Sequence, residues 1–222
     1  MTCQVVQAGH DAVGNLQAVK RFPGRLYNPR MSKPLAIVVG AARGRGRAAA
    51  QILGRRGLHV IAWDINPDAV ERVVAEIVAA DGSAEAVTAD ITNKLAAQTT
   101  LYRVLEAHPQ IDLLVNAAEI EPRTPALRMD ESEWDRTLDV GVKGAFIVAQ
   151  TVARAMQATG GGVIVNILRA PDAPHAGVAA ARAALVALTQ ALVHEWAEHN
   201  VRVIGLSSGE LESLTALPLA NG

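Results

Sequence analysis

Residues 35–64 read LAIVVGAARGRGRAAAQILGRRGLHVIAWD. Five apolar residues, Leu35–Val39, suit a strand buried on both faces, and a glycine-rich turn follows at Gly40, Gly44 and Gly46. A helix is expected from about Arg47 to Arg56, and a second apolar strand over His59–Asp64. Glycines at such a strand-to-helix turn let the backbone bend tightly, approach a pyrophosphate and pack the helix on the strand. A phosphate would then sit on the helix N-terminus, where the cluster Arg43, Arg45 and Arg47 is unfavourable unless an anion neutralises it. Asp64 closes the second strand 18 residues after Gly46, where an acid accepts hydrogen bonds from an adenosine ribose and repels a 2′-phosphate.

Outward from this unit the alternation continues. Pro67 opens a helix to about Ala80, Glu85–Thr88 reads as a short strand, and Thr92 is placed to cap a helix to Ala107. Ile111–Asn116 is a fourth strand, and a loop with Pro122 and Pro125 leads to a long helix over 132–156. Val163–Ile167, a helix over 176–198, and Val201–Leu206 complete the series. Strands alternating this evenly with helices imply one α/β domain with a Rossmann-like, doubly wound parallel sheet of about six strands.

Composition sets the bounds. Of 222 residues, 50% are hydrophobic and 19% charged, with a formal net charge of -1, so the chain folds around a core and is no general nucleic-acid binder. No apolar run reaches the ~18 residues of a membrane span. The single cysteine, Cys3, excludes a disulfide scaffold and a multi-cysteine metal site. A cytoplasmic protein is expected. Residues 1–33 carry four basic residues up to Arg30 against Asp11. They read as a flexible basic extension, a docking arm for a protein partner, or residues ahead of a start at Met31, with the α/β domain over 34–222.

Two further patterns carry no chemistry. Gly205-Leu-Ser207-Ser-Gly209 matches a hydrolase nucleophile elbow, yet no histidine follows residue 199. His194 and His199 stand about 140° apart around a helix and share no face, so no metal site is expected.

Taken together, the motifs resemble the short-chain dehydrogenase/reductases, close to the 3-oxoacyl-(acyl-carrier-protein) reductase type. Gly40-x-x-x-Gly44-x-Gly46 looks like that family's cofactor turn, Asp90-Ile91 its adenine-contacting pair, and Asn116-Ala117-Ala118 its motif after strand four. The resemblance runs from about Leu35 to Gly209 and implies a nicotinamide cofactor held by Gly40, Arg43, Gly44, Arg45, Gly46, Asp64, Ile65, Asp90, Ile91, Asn116, Ala117, Ala118 and Arg182. Asp64 favours NAD, although a basic residue at Arg43 accompanies NADP in some members.

The family's catalytic asparagine, serine, tyrosine and lysine are another matter. Carried over, they fall on Gly141, on Arg169 or Leu168, on Val178 and on Arg182. Glu119 replaces a family glycine, and the chain stops before the family's substrate-binding lid. The expectation from these losses is a non-catalytic binding, assembly or regulatory subunit, its NAD site occupied or not. Two alternatives stand beside it: an active ketone/alcohol oxidoreductase with a non-standard proton donor, and a structural subunit with an empty cofactor site. The family also implies a homodimer, tetramer or hetero-oligomer through the helices over 132–156 and 176–198.

Overall fold

The computed structural model describes residues 33–170 and 172–219, so the expected basic arm lies outside the described residues but for Lys33. Strands β1 (Leu35–Val39), β2 (His59–Asp64), β3 (Ser83–Thr88), β4 (Leu113–Asn116), β5 (Gly162–Leu168) and β6 (Val201–Ser207) form one parallel sheet in the order β3-β2-β1-β4-β5-β6. The chain winds outward from β1 to β3, then returns to β4 on the other side of β1. The carboxyl ends of β1 and β4 therefore flank the crevice where ligands bind in such sheets.

The helices are α1 (Gly44–Arg55), α2 (Pro67–Ala79), α3 (Lys94–Ala107), α4 (Glu131–Leu138), α5 (Ala145–Thr159) and α6 (Ala176–Glu195). Strand alternation divides the core between two faces. Ala36 and Val38 meet α1 and α2, while Leu35, Ile37 and Val39 join Leu101 of α3, Val148 of α5 and Leu192 of α6. All five β1 residues are buried, which explains their unbroken apolar run.

Local differences from the sequence reading have local causes. Asn93, not Thr92, caps α3, its side chain accepting from the Ala96 amide at 3.1 Å. The helix expected over 132–156 is broken: α4 and α5 are joined by a π-turn over Asp139–Gly144, whose apolar spacing resembles that of a continuous helix. The last helix ends at Glu195, and a short 3-10 turn, Ala197–His199, precedes β6.

By length and composition α6 could cross a bilayer, against the expectation that no such run exists. In this fold it packs along β5 and β6 instead. After β6, residues Leu211–Ala216 form a 3-10 segment against α1, with Leu214, Leu217 and Leu219 buried. Arg56 fastens it by donating to the carbonyls of Leu214 (2.8 Å) and Leu217 (2.5 Å), and burial holds this guanidinium below its ordinary pKa.

Candidate active site

The turn between β1 and α1 is held by β2. The amides of Gly40 and Ala41 donate to the Trp63 carbonyl at 2.8 and 3.1 Å, and the Ala42 amide donates to Asp64 Oδ2 at 3.0 Å. Gly40 has φ +79°, and a Cβ there would stand 2.6 Å from the Ala118 backbone, so only glycine lets the turn lie against the end of β4. At Gly46 a Cβ would stand 2.0 Å from the Gly40 carbonyl oxygen, which sets the close approach of helix to strand. Arg43 is the exposed N-cap of α1 and makes no side-chain cap, and no acid lies in that helix's first turn.

Around this turn lie the other expected contacts. Asp64 Oδ1 also accepts from the Asn66 amide at 3.1 Å, and each carboxylate oxygen keeps a further lone pair. Ile65 is exposed at the rim. Asp90 Oδ1 accepts from the amide and hydroxyl of Thr92, both at 2.8 Å, while Ile91 is buried. Ala117 donates to the Val39 carbonyl at 2.9 Å, and Asn116 Nδ2 donates to Asn166 Oδ1 at 2.9 Å. Asn166 in turn donates to Thr189 Oγ1, so a buried polar chain joins β4, β5 and α6.

These residues fit a dinucleotide on three observations. A Cβ at Gly44 would meet no atom within 4 Å, so the turn opens onto free space at the helix N-terminus. Among the described residues the Asn116 Oδ1 atom is buried without a hydrogen-bond partner at the wall of the adjoining cleft. Asp64 offers acceptors at the end of β2.

That cleft opens to solvent, and Gly141, Arg169, Val178 and Arg182 line it together. Gly141 of the π-turn thus meets Arg169 at the end of β5 and two residues of α6 in one place. Gly141 sits in the π-turn, where a Cβ would come 3.2 Å from Ala181 Cβ of α6. Val178 is buried in the first turns of α6. His175 is the N-cap of α6 and half-buried, and it is absent from the cleft wall.

Charge converges in the middle of the cleft. Glu119 Oε2 accepts from Arg45 and Arg169, each at 3.0 Å, and Oε1 accepts from Arg182 Nε at 2.8 Å. Glu121 pairs with Arg169 and, at 2.5 Å, with Arg182 Nη2. Arg182 also donates to the Ala170 carbonyl at 3.3 Å, and its side chain is 11% exposed. Three arginines therefore face two glutamates. The sequence reading singled out Arg45, Arg182 and Glu119 separately; it did not foresee that they form one network, and Glu121 was missed. The partners of Glu119 lie 74, 50 and 63 residues away, and no local motif signals such a meeting.

A parallel sheet wound on both sides, a glycine turn at its switch point and an acid after β2 define a dinucleotide-binding Rossmann protein. The chain matches the short chain dehydrogenase family model over residues 34–218, and it belongs to that family, with an NAD(P)-binding Rossmann fold. An NAD-dependent glycerol dehydrogenase of Listeria innocua serovar 6a is 36% identical over 190 residues, covering 84% of this chain and 74% of that protein. A D-threitol dehydrogenase of Mycolicibacterium smegmatis is 29% identical over 185 residues, covering 82% and 71%. Among solved structures, a metagenomic short-chain oxidoreductase in complex with NADP has a TM-score of 0.79 at 31% identity, covering 86% of this chain and 92% of that one.

These relatives overturn the expectation of a non-catalytic subunit. They are named as dehydrogenases and match across the whole domain. The physical reason is that loss of the tyrosine motif removes one proton donor and its support, whereas the cofactor turn and the cleft beside it are retained.

Proposed function

We propose that the chain is an NAD(P)-dependent oxidoreductase that interconverts a small alcohol, of the polyol class, and its ketone, using a proton-transfer group other than tyrosine. The observation that carries this reading is the Glu119 carboxylate clamped by Arg45, Arg169 and Arg182 in the cleft beside the glycine turn. Glycerol and D-threitol, the substrates in the names of two relatives, suggest the substrate class.

When bound, the nicotinamide supplies the hydride acceptor. The chain's own groups do the rest. The α1 N-terminus and the Gly40–Gly46 turn bind the pyrophosphate through backbone amides. Asp64 accepts from ribose hydroxyls. Glu119 takes the hydroxyl proton of the alcohol as the carbon–hydrogen bond gives up its hydride, and it returns that proton in the reverse direction. The guanidinium groups of Arg169 and Arg182 stabilise negative charge developing on the substrate oxygen.

NAD is the preferred cofactor in this reading, because the Asp64 carboxylate would face the extra phosphate of NADP. The NADP complex of a related structure and the exposed Arg43 are the counterweights. The reading keeps the cytoplasmic placement expected from sequence.

The test is an assay of NAD and NADP reduction with glycerol, threitol and longer polyols, and of the reverse reaction with their ketones. Glu119→Gln is expected to lower turnover by about 10²–10⁴-fold, with cofactor binding, followed by tryptophan emission, unchanged. Full turnover in Glu119→Gln would remove that residue from the chemistry. Bound cofactor with no turnover on any substrate would overturn the oxidoreductase reading.

A further inference from the structure

At the opposite end of β2 from Asp64, about 16 Å away by the rise of five strand residues, stands a second cluster. His59 opens β2 and pairs in register with Ser83 of β3, while Glu85 is two residues further along β3 on the same face. His108 is the C-cap of α3, its amide donating to the Val104 carbonyl at 2.7 Å. The end of α3 thus lands over the sheet edge at this spot. The two imidazole rings lie 5.0 Å apart by centroid, tilted by 34°.

Three ligand atoms converge between these side chains. His59 Nε2 is 3.1 Å from Glu85 Oε1, and His108 Nε2 is 3.6 Å from the same oxygen. One ring nitrogen of each histidine and one carboxylate oxygen all lie within 4.8 Å of one another. Zinc–ligand bonds of about 2.1 Å in a tetrahedron put neighbouring ligand atoms about 3.4 Å apart, and the two nitrogen–oxygen distances, 3.1 and 3.6 Å, bracket that value. His108 Nε2 is buried and has no hydrogen-bond partner among the described residues, although a carboxylate stands close by. An unpaired nitrogen lone pair aimed at a carboxylate oxygen is repulsive unless a proton or a cation lies between them.

The surroundings suit a cation. Ser83 Oγ lies 2.7 Å from His59 Nδ1, which leaves Nε2 to face the cluster and orients the ring as outer-shell partners of metal-bound histidines do. The last carbonyls of α3 carry the negative end of its dipole toward the same place. Two imidazoles and one carboxylate form a donor set suited to zinc and its transition-metal neighbours, with a fourth position left for water.

We propose that His59, Glu85 and His108 bind a divalent transition-metal ion of the zinc class, which ties edge strand β3 and the end of α3 to β2. The site is remote from the cleft, and its role is structural. It stands apart from the reading of the oxidoreductase site, and its failure would leave that reading untouched.

The test uses the full chain, stripped with a chelator and titrated with zinc against a chromophoric competitor, and with cobalt followed by visible absorption. One tightly bound equivalent is expected, lost in His108→Ala and in Glu85→Gln. Ser83→Ala, which touches no ligand bond, is expected to weaken zinc binding by about 10–100-fold. Zinc should also raise the melting temperature of the native chain but not that of Glu85→Gln, whose exposed side chain can be changed without disturbing the core. Absence of saturable binding at micromolar zinc would overturn the proposal. So would binding of equal affinity in both ligand variants, because that metal would then be held elsewhere on the chain.

Discussion

Asp64 shows how one residue serves two tasks. Its Oδ2 holds the Ala42 amide and so shapes the glycine turn, and in the function proposed above the same carboxylate selects between the two nicotinamide cofactors. Asp64→Asn keeps the size and an acceptor oxygen but removes the charge. Hydrogen bonds to a charged group contribute about 1.5–3 kcal/mol, so NAD affinity is expected to fall about tenfold or more while NADP affinity rises. Parallel titrations of the two reduced cofactors, followed by tryptophan emission, measure the ratio. An unchanged ratio would take Asp64 out of cofactor choice. Its place at the end of β2 was legible in sequence because spacing within one strand–helix–strand unit determines it. Glu119 was legible only as an oddity, since its meaning depends on arginines brought in from α1, the end of β5 and α6.

Among the elements, α4 carries the π-turn toward the cleft and depends on its cap. Asp130 Oδ1 accepts from the Glu133 amide at 2.8 Å and from Ser132 Oγ at 2.7 Å, and these bonds hold its carboxyl below the usual carboxylate range. A depressed folded-state pKa means stability that is present above the unfolded carboxylate pKa and lost as pH falls through the folded one. Asp130→Ala is therefore expected to melt earlier than the native chain at neutral pH, with the gap closing as the pH drops below the carboxylate range. Melting scans across acid pH measure it, and a gap that persists in strong acid would assign the loss to something other than the ionised cap. The break between α4 and α5 escaped the sequence reading because Ala145, Val148, Ala149 and Val152 continue an apolar spacing that a π-turn merely offsets. Element type, by contrast, was plain where the apolar run or a helix-opening residue marked it, as in β1 and at Pro67 of α2.

For the whole molecule, the layered α/β plan follows from the even alternation of strands and helices, and the strand order follows from its switch between β1 and β4. What one chain leaves unfinished is the outer face of α6. That helix is apolar nearly throughout, yet Ala183, Ala187 and Ala191, spaced four apart on one face, are exposed, and Val193 is 39% exposed beyond them. Trp134 of α4, itself 38% exposed, lies beside the start of α6 near Gly177. We propose that two copies pair through α6 and the neighbouring α4–α5 helices, small alanines allowing the backbones to approach closely. Burying such a face is favourable at about 25 cal/mol per Å² of apolar area. A charge at its centre would have to be desolvated without a partner. Ala187→Glu, on the exposed side of the helix, is thus expected to fold normally and convert a dimer or tetramer into monomers, as read by light scattering at micromolar protein. A native chain that is already monomeric under those conditions would refute the pairing. So would a variant that keeps its assembly, since the contact would then lie on a different face.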